Sequence, residues 1–458
     1  MTDLGTPSDL ERLARNLGRG GGRYALYPPP RSFRPFSDTR FCAAIRDSNG
    51  DPIPTPLALH FDIPASYRTS FCGNDSGPRP ADGSRAEAYG HRLVREIGLT
   101  GALFDRDRDV VHISLAPGMA RWVSAAQMDE LLSSLDRHFH LRPTGGLDLA
   151  MTVESDRTPM SALRDWASLG FNRVGIGIGS LLGADTPLDQ RSVRLQATID
   201  ALREAGFANL RIELPYGLPH QGVEAFEAML SAVIEASPER VGLRNCAAYA
   251  EVTPAATNGL STTTLQARML LSAADRLTDA GYLHVGLDVF ARPNDALVRA
   301  QRRSHLYRDA LGFGVHGPTD LIGFGVGAIS QLGGCHAQNP LDLSTWEARL
   351  DQGQRPIDHG IELDADDRVR ASILQEILCQ GEIAVREVEA RFGLDFKEAF
   401  AGELAALAPL FEEGSLSWEE GRLRLDRIAR LSARAVASAF DRHSWANLGV
   451  PQQIRASG

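Results

Sequence analysis

Between residues 55 and 330 the chain alternates short β-rich runs with amphipathic helical stretches, and this alternation restricts the fold more than any other feature. Strands are expected at 57–63, 110–115, 147–153, 173–179, 210–214, 241–244 and 284–290. Helices are expected near 86–98, 125–139, 160–169, 192–205, 223–236 and 264–280. The second of these opens on Ser124-Ala-Ala-Gln127, a capping-box pattern that satisfies free amides at a helix start. Gly170 and Gly206 each stand where a helix stops before the next strand. A helix between successive strands carries the chain back, so the strands are expected to run parallel. Periodicity alone leaves a barrel and an open doubly wound sheet both standing.

The flanks differ. Residues 1–50 read as an N-terminal arm, with Gly18-Arg-Gly20-Gly21-Gly22 and Pro28-Pro29-Pro30 and no core of its own. Residues 51–350 hold the β/α region, and 351–458 form a helical C-terminal domain. Within the latter, Leu416-Ser-Trp418 and Leu423-Arg-Leu425 predict a hairpin around Glu419-Glu-Gly421, which with its helices suggests a winged-helix-like module. Such a module can grip nucleic acid, but 48 basic against 58 acidic residues leave a net charge of −10, which favours a packing element or lid. The same charge disfavours an anionic membrane surface, and no apolar run of about 18 residues is present. Residues 1–15 are polar and carry acids, unlike a secretory signal, and five scattered cysteines make no disulfide framework. A cytoplasmic protein is expected.

Two strings of alternating glycines, Gly175-Ile-Gly177-Ile-Gly179 and Gly323-Phe-Gly325-Val-Gly327, serve either a flat cofactor or close backbone packing. The second lacks the acidic residue of a dinucleotide fingerprint. No His-Glu-x-x-His, Gly-x-Ser-x-Gly or Walker A pattern occurs, so no catalytic residue is assigned. Asp288 and Arg292 are expected at the C-terminal end of a strand. There Arg292 would fork a substrate carboxylate or clamp Asp288.

Several segments resemble one family. They are Arg23-Tyr-Ala-Leu-Tyr-Pro28, Gly170-Phe-Asn-Arg173, Tyr216-Gly-Leu-Pro219, Phe290-Ala-Arg-Pro293, Gly317-Pro-Thr-Asp320-Leu-Ile-Gly-Phe-Gly-Val-Gly-Ala-Ile-Ser330 and Cys335-His-Ala-Gln-Asn339. Together they resemble the oxygen-independent coproporphyrinogen III oxidase (dehydrogenase) family, in collinear order over roughly residues 20 to 440. The resemblance implies an incomplete (β/α)6 TIM-like radical-SAM barrel. It also implies a [4Fe-4S] cluster, S-adenosylmethionine, and oxidative decarboxylation of two propionates to vinyls to give protoporphyrinogen IX. In the family three thiolates, spaced four and then three apart, hold the cluster. Here the loop reads Asp62-Ile-Pro64-Ala-Ser66-Tyr-Arg-Thr-Ser70-Phe-Cys72, with serines at the first two ligand positions. A serine alkoxide is a hard ligand of high pKa, so the cluster is expected to be absent and S-adenosylmethionine binding weakened.

The cofactor-side candidates implied by the resemblance are Arg191, which matches, Glu213 in place of Asp, and Thr152 and Gly179 in place of Glu and Gln. Arg23, Tyr24 and Arg292 are the substrate-carboxylate candidates, and Ser66, Ser70 and Cys72 mark a vestigial cluster loop. The expected function is a degenerate relative that binds a tetrapyrrole without radical turnover. Alternatives are an active oxidase with an unorthodox or partner-completed cluster, and a non-catalytic partner of an active family paralogue.

Overall fold

The computed structural model describes residues 7–18, 26–65, 83–142, 146–154, 160–178, 188–218, 221–246 and 262–443. Arg23, Tyr24, Ser66, Ser70, Cys72 and Gly179 lie outside the described residues. The chain divides into two compact units that are not consecutive in sequence. One comprises Phe33–Glu213 and Pro318–Leu363, and the other Met1–Ser32, Leu214–Gly317 and Asp364–Gly458.

The first unit is built on strands β1 (Leu57–Phe61), β2 (Asp109–Leu115), β3 (Asp148–Glu154), β4 (Arg173–Gly177) and β5 (Asn209–Tyr216), whose last residues belong to the second unit. Helices α1 (Gly83–Gly101), α2 (Ala125–His138), α3 (Met160–Ser168) and α4 (Leu188–Glu204) separate them. Each strand pairs in parallel with the next, as helical crossovers require. The capping box of α2 forms as expected: Ser124 accepts from the Gln127 amide while Gln127 accepts from the Ser124 amide. The strand Asp320–Phe324 adds in parallel to the free edge of β1. Beyond it the antiparallel strands Ile329–Leu332, Cys335–Gln338 and His359–Glu362 extend the sheet, an extension that the alternation did not announce.

The second glycine string sits at the turn that starts this extension, and its role is packing. A Cβ on Gly323 would lie 2.6 Å from the Ile329 carbonyl oxygen, and one on Gly325 (φ +101°) 2.4 Å from that of Asp62. Helix α1 clamps the turn. Tyr89 Oη donates to the Asp62 carbonyl (2.7 Å) and accepts from the Val326 amide (3.0 Å). Buried Glu96 accepts from the Gly325 amide (2.9 Å), Asn339 Nδ2 (2.6 Å) and Trp346 Nε1 (3.2 Å).

Burial pushes the Glu96 carboxyl up to about 8, against the pull of its three donors. A carboxyl raised in the folded state contributes stability below its unfolded pKa, and that contribution is lost as pH rises towards about 8. Glu96→Gln should therefore be destabilised most in acid, with a deficit relative to wild type that shrinks at alkaline pH. Urea midpoints near pH 5 and about pH 8.5 test this, and a constant deficit would refute it.

In the second unit, β5 ends beside β6 (Arg240–Asn245), joined by the Cys246 amide to the Tyr216 carbonyl (2.8 Å). The single strand expected at 284–290 is instead a hairpin of β7 (Leu283–Gly286) and β8 (Val289–Ala291). Its reversal at Leu287 (φ +48°) leaves β8 antiparallel to β6. Helices α5 (Val223–Ala236), α6 (Thr262–Asp279) and α7 (Ala365–Gln380) belong to the same unit. The expected hairpin forms as Leu416–Glu419 and Arg422–Leu425, and Glu382–Ala384 completes a three-stranded sheet. This sheet and its helices bury Ile373, Ile377, Phe396, Phe400, Leu423 and Phe440 together. The N-terminal arm is not without a core. Pro7–Gly18 is a helix with Leu13 fully buried, and its Arg12 donates to Ser415 Oγ (2.8 Å) and pairs with Asp426.

Candidate functional site

In parallel β/α folds ligands gather at the carboxyl ends of the strands, because the loops there are free to vary over a rigid sheet. The first unit follows a strict division of residues. Leu149, Met151, Val153, Val174, Ile176, Leu210 and Ile212 are buried. The alternating positions, which share the other face, carry mostly polar groups or glycine, with Ala150 among them. The register aligns His60, Ser114, Ala150, Arg173 and Asn209 in one row, and Thr152, Gly175 and Arg211 in the next. One step further towards the carboxyl ends, Gly177 pairs with Glu213.

These polar groups engage one another. His60 Nδ1 lies 2.7 Å from Ser114 Oγ. Asp148 pairs with Arg173 (2.9 Å), and Arg211 Nε lies 2.6 Å from Glu213 Oε1. Glu213 is buried, and so is Arg191 on α4. Thr152 is half-buried, and a Cβ on Gly175 would come within 3.2 Å of its Oγ1, so glycine lets β4 lie close to that side chain. The site is a half-buried polar sheet face whose charges are paired as Asp148–Arg173 and Arg211–Glu213.

Arg292 is elsewhere. Because β8 runs antiparallel to β6, leaving β8 at Ala291 brings the chain to the start of β6. There the Arg292 amide donates to the Glu239 carbonyl (3.0 Å). The Arg292 guanidinium stacks 4.0 Å from the centre of the Tyr282 ring and donates to the Ala280 carbonyl (3.1 Å). The expected contact with a substrate carboxylate at the carboxyl end of a strand is thus corrected, and so is a clamp on Asp288. Asp288 is forked instead by Arg434, at 3.1 and 2.6 Å, a partner 146 residues away that no local pattern marks.

No three cysteines of the sequence are spaced four and then three apart. Ser66 and Ser70 carry hydroxyls, and Cys72 is the one cysteine in that loop. Elsewhere, burial pushes the thiols of Cys335 and Cys379 up to about 12, the opposite of what a ligand thiolate needs. The Cys42 thiol is also raised, by burial and by neighbouring Asp38, in a cluster where Arg355 forks the Asp38 carboxylate.

Residues 363–431 match the family described as the HemN C-terminal domain. The oxygen-independent coproporphyrinogen III oxidase of Pseudomonas aeruginosa is 30% identical over 450 residues, covering 94% of this chain and 95% of that protein. The Escherichia coli K12 enzyme of the same name is 29% identical over 439 residues, covering 94% of each. This chain belongs to the oxygen-independent coproporphyrinogen III oxidase family. The solved structure of coproporphyrinogen III oxidase (HemN) from E. coli, described as a radical SAM enzyme, superposes with a TM-score of 0.79 at 28% identity, covering 92% of this chain and 98% of the other. The α/β fold is therefore that of the radical-SAM oxidase, with its helical C-terminal region. Among the described residues, no helix is long and apolar enough to cross a membrane.

Proposed function

We propose that this chain binds a propionate-bearing tetrapyrrole of the coproporphyrinogen III class without radical S-adenosylmethionine turnover. The carrying observation is the pair Ser66 and Ser70 at the positions of two cluster thiolates, in a chain that otherwise keeps the family framework nearly end to end. A low-potential cluster needs soft anionic ligands, and neither a serine nor a thiol of raised pKa supplies one. On the cofactor side, Arg191 and Glu213 are retained as buried polar groups, while Thr152 and Gly179 lack the functional groups of the Glu and Gln they replace. Arg23 and Tyr24 are the proposed contacts of the arm to substrate carboxylates, and Arg292 is withdrawn from that role because its guanidinium is spent on Tyr282 and Ala280.

Titration with coproporphyrin III, the oxidised form of the substrate, should shift the Soret band and quench porphyrin emission at stoichiometric protein. No spectral change at any protein concentration would sink the binding reading. A second reading, an active oxidase with an unorthodox cluster, draws on the relatives bearing that name. Anaerobic conversion of coproporphyrinogen III to protoporphyrinogen IX would decide for it.

A further inference from the structure

In the second unit, the short helix Ala296–Arg302 and the turn after it carry a run of exposed basic residues, in a chain whose net charge is −10. Arg299, Arg302, Arg303 and His305 are all exposed. The Arg299 guanidinium donates to the Asn294 carbonyl, and among the described residues no carboxylate pairs with any of the four. The one acid between residues 292 and 306 is Asp295, which is buried and already engaged. It caps the helix through the Leu297 amide (2.7 Å) and pairs with Arg240 Nε (2.9 Å).

The run is held on a firm base. Leu297, Val298 and Ala300 pack with Val285, Val289 and Cys379 in one buried cluster. Gln301 Nε2 donates to the Cys379 carbonyl (2.6 Å) and to that of Val285. The helix closes on Ser304, whose left-handed backbone (φ +56°) is a conformation that helix ends usually give to glycine. There the Ser304 amide donates to the Gln301 carbonyl (3.0 Å) and the His305 amide to the Ala300 carbonyl (2.9 Å). Arg303 and His305 are thereby fixed on either side of one tight turn.

Helix capping does not account for so many basic groups. A cation in the last turn complements the helix dipole, and Arg299 and Arg302 fill that role. Arg303 and His305 lie past the helix end and add nothing to it. Arg299 and Arg302, three residues apart on one helix, are surface neighbours, and like charges at that spacing repel. An anion laid over the run relieves the repulsion, and the planar forks of arginine match carboxylate oxygens in pairs. Residues 292–306 hold no Phe, Tyr or Trp on which a nucleic-acid base could stack. A long polyanion or a lipid surface also reaches beyond the run, over a chain that is acidic as a whole. A short row of carboxylates stays within it.

We propose that Arg299, Arg302, Arg303 and His305 form a docking surface for an acidic segment, rich in Glu or Asp, of a partner protein. The surface shares no residue with the polar sheet face and does not depend on tetrapyrrole binding.

The test titrates a fluorescein-labelled octaglutamate peptide with full-length protein and reads fluorescence anisotropy. It compares wild type with the pairs Arg302→Glu, Arg303→Glu and Arg302→Lys, Arg303→Lys. The pair Arg137→Glu, Arg368→Glu makes the same change of net charge at two exposed arginines elsewhere. All four positions are exposed, so the variants should fold, which a circular dichroism melt verifies. Wild-type binding should be saturable and weaken several-fold as salt rises from about 20 to about 200 mM. Reversal at 302 and 303 should cost roughly tenfold or more, because attraction becomes repulsion. The lysine pair should lose less, since it keeps the charge without the fork. The control pair should stay within about twofold of wild type, because screening confines the effect of distant charges. Absence of saturable wild-type binding, or an equal loss in the reversal and control pairs, would overturn the surface. Labelled oligothymidylate and phosphatidylserine vesicles are titrated in parallel. Tighter wild-type binding of either than of the peptide, abolished by the reversal, would overturn the acidic segment in favour of nucleic acid or membrane.

Discussion

Asp320→Ala should lower the stability of the chain by about 3–5 kcal/mol, the range for breaking a buried ion pair from one side. Asp320 and Arg108 are both buried, with side chains 4% and 1% exposed and 2.6 Å between them. Arg108 also donates to the Thr55 carbonyl (2.6 Å) and to Asn49 Oδ1 (3.1 Å), and Asp320 accepts from Ser48 and from the Gly333 amide (3.2 Å). Removing the carboxylate leaves a guanidinium that can neither reach water nor lose its proton. The effect reaches the functional face, because Asp320 opens the strand that flanks β1 and leads into the clamped glycine turn. Urea unfolding gives the value. The double variant Arg108→Met, Asp320→Leu should recover more than half of the loss, since it removes both charges. A loss below about 1 kcal/mol for Asp320→Ala would show that water reaches Arg108.

The second large effect concerns iron. After anaerobic reconstitution with iron and sulfide, wild-type protein should retain far less than the roughly four irons of a cubane cluster and show no reducible charge-transfer band. The triple variant Ser66→Cys, Ser70→Cys, Gly73→Cys, which recreates a spacing of four and then three, should raise iron and sulfide towards that stoichiometry. The reason is ligand chemistry: a thiol loses its proton far more readily than a hydroxyl and binds iron as a soft anion. A full cluster in wild type would overturn the proposal of binding without radical turnover and send the question to the oxidase assay. A triple variant that stays free of iron would show that more than the ligand set has been lost.

Legibility followed the range of the physics involved. The parallel strands of the first unit were readable because burial under helices imposes a local period, with Leu210 and Ile212 alternating against Arg211 and Glu213. The terminal hairpin was readable for the same reason, its apolar Leu416, Leu423 and Leu425 flanking Glu419-Glu-Gly421. The strand predicted at 284–290 failed because the two-residue turn Leu287-Asp288 puts a leucine, which rarely takes a left-handed backbone, at its first position. Its left-handed backbone is imposed by packing, not by local preference. That one reversal moved Arg292 to the far end of β6 and left Asp288 to Arg434.

The amino-acid sequence alone determined the parallel β/α order, the family and the presence of serine at positions 66 and 70. Each is written in local periodicity or in residue identity. Tertiary structure alone decided that Gly323 and Gly325 serve a clamped turn, that Glu96 and Asp320 are buried behind specific donors, and that Arg434 forks Asp288. Those arrangements join residues tens to hundreds of positions apart. Their partners are chosen by strand order and chain reversal, which no local pattern of side chains records.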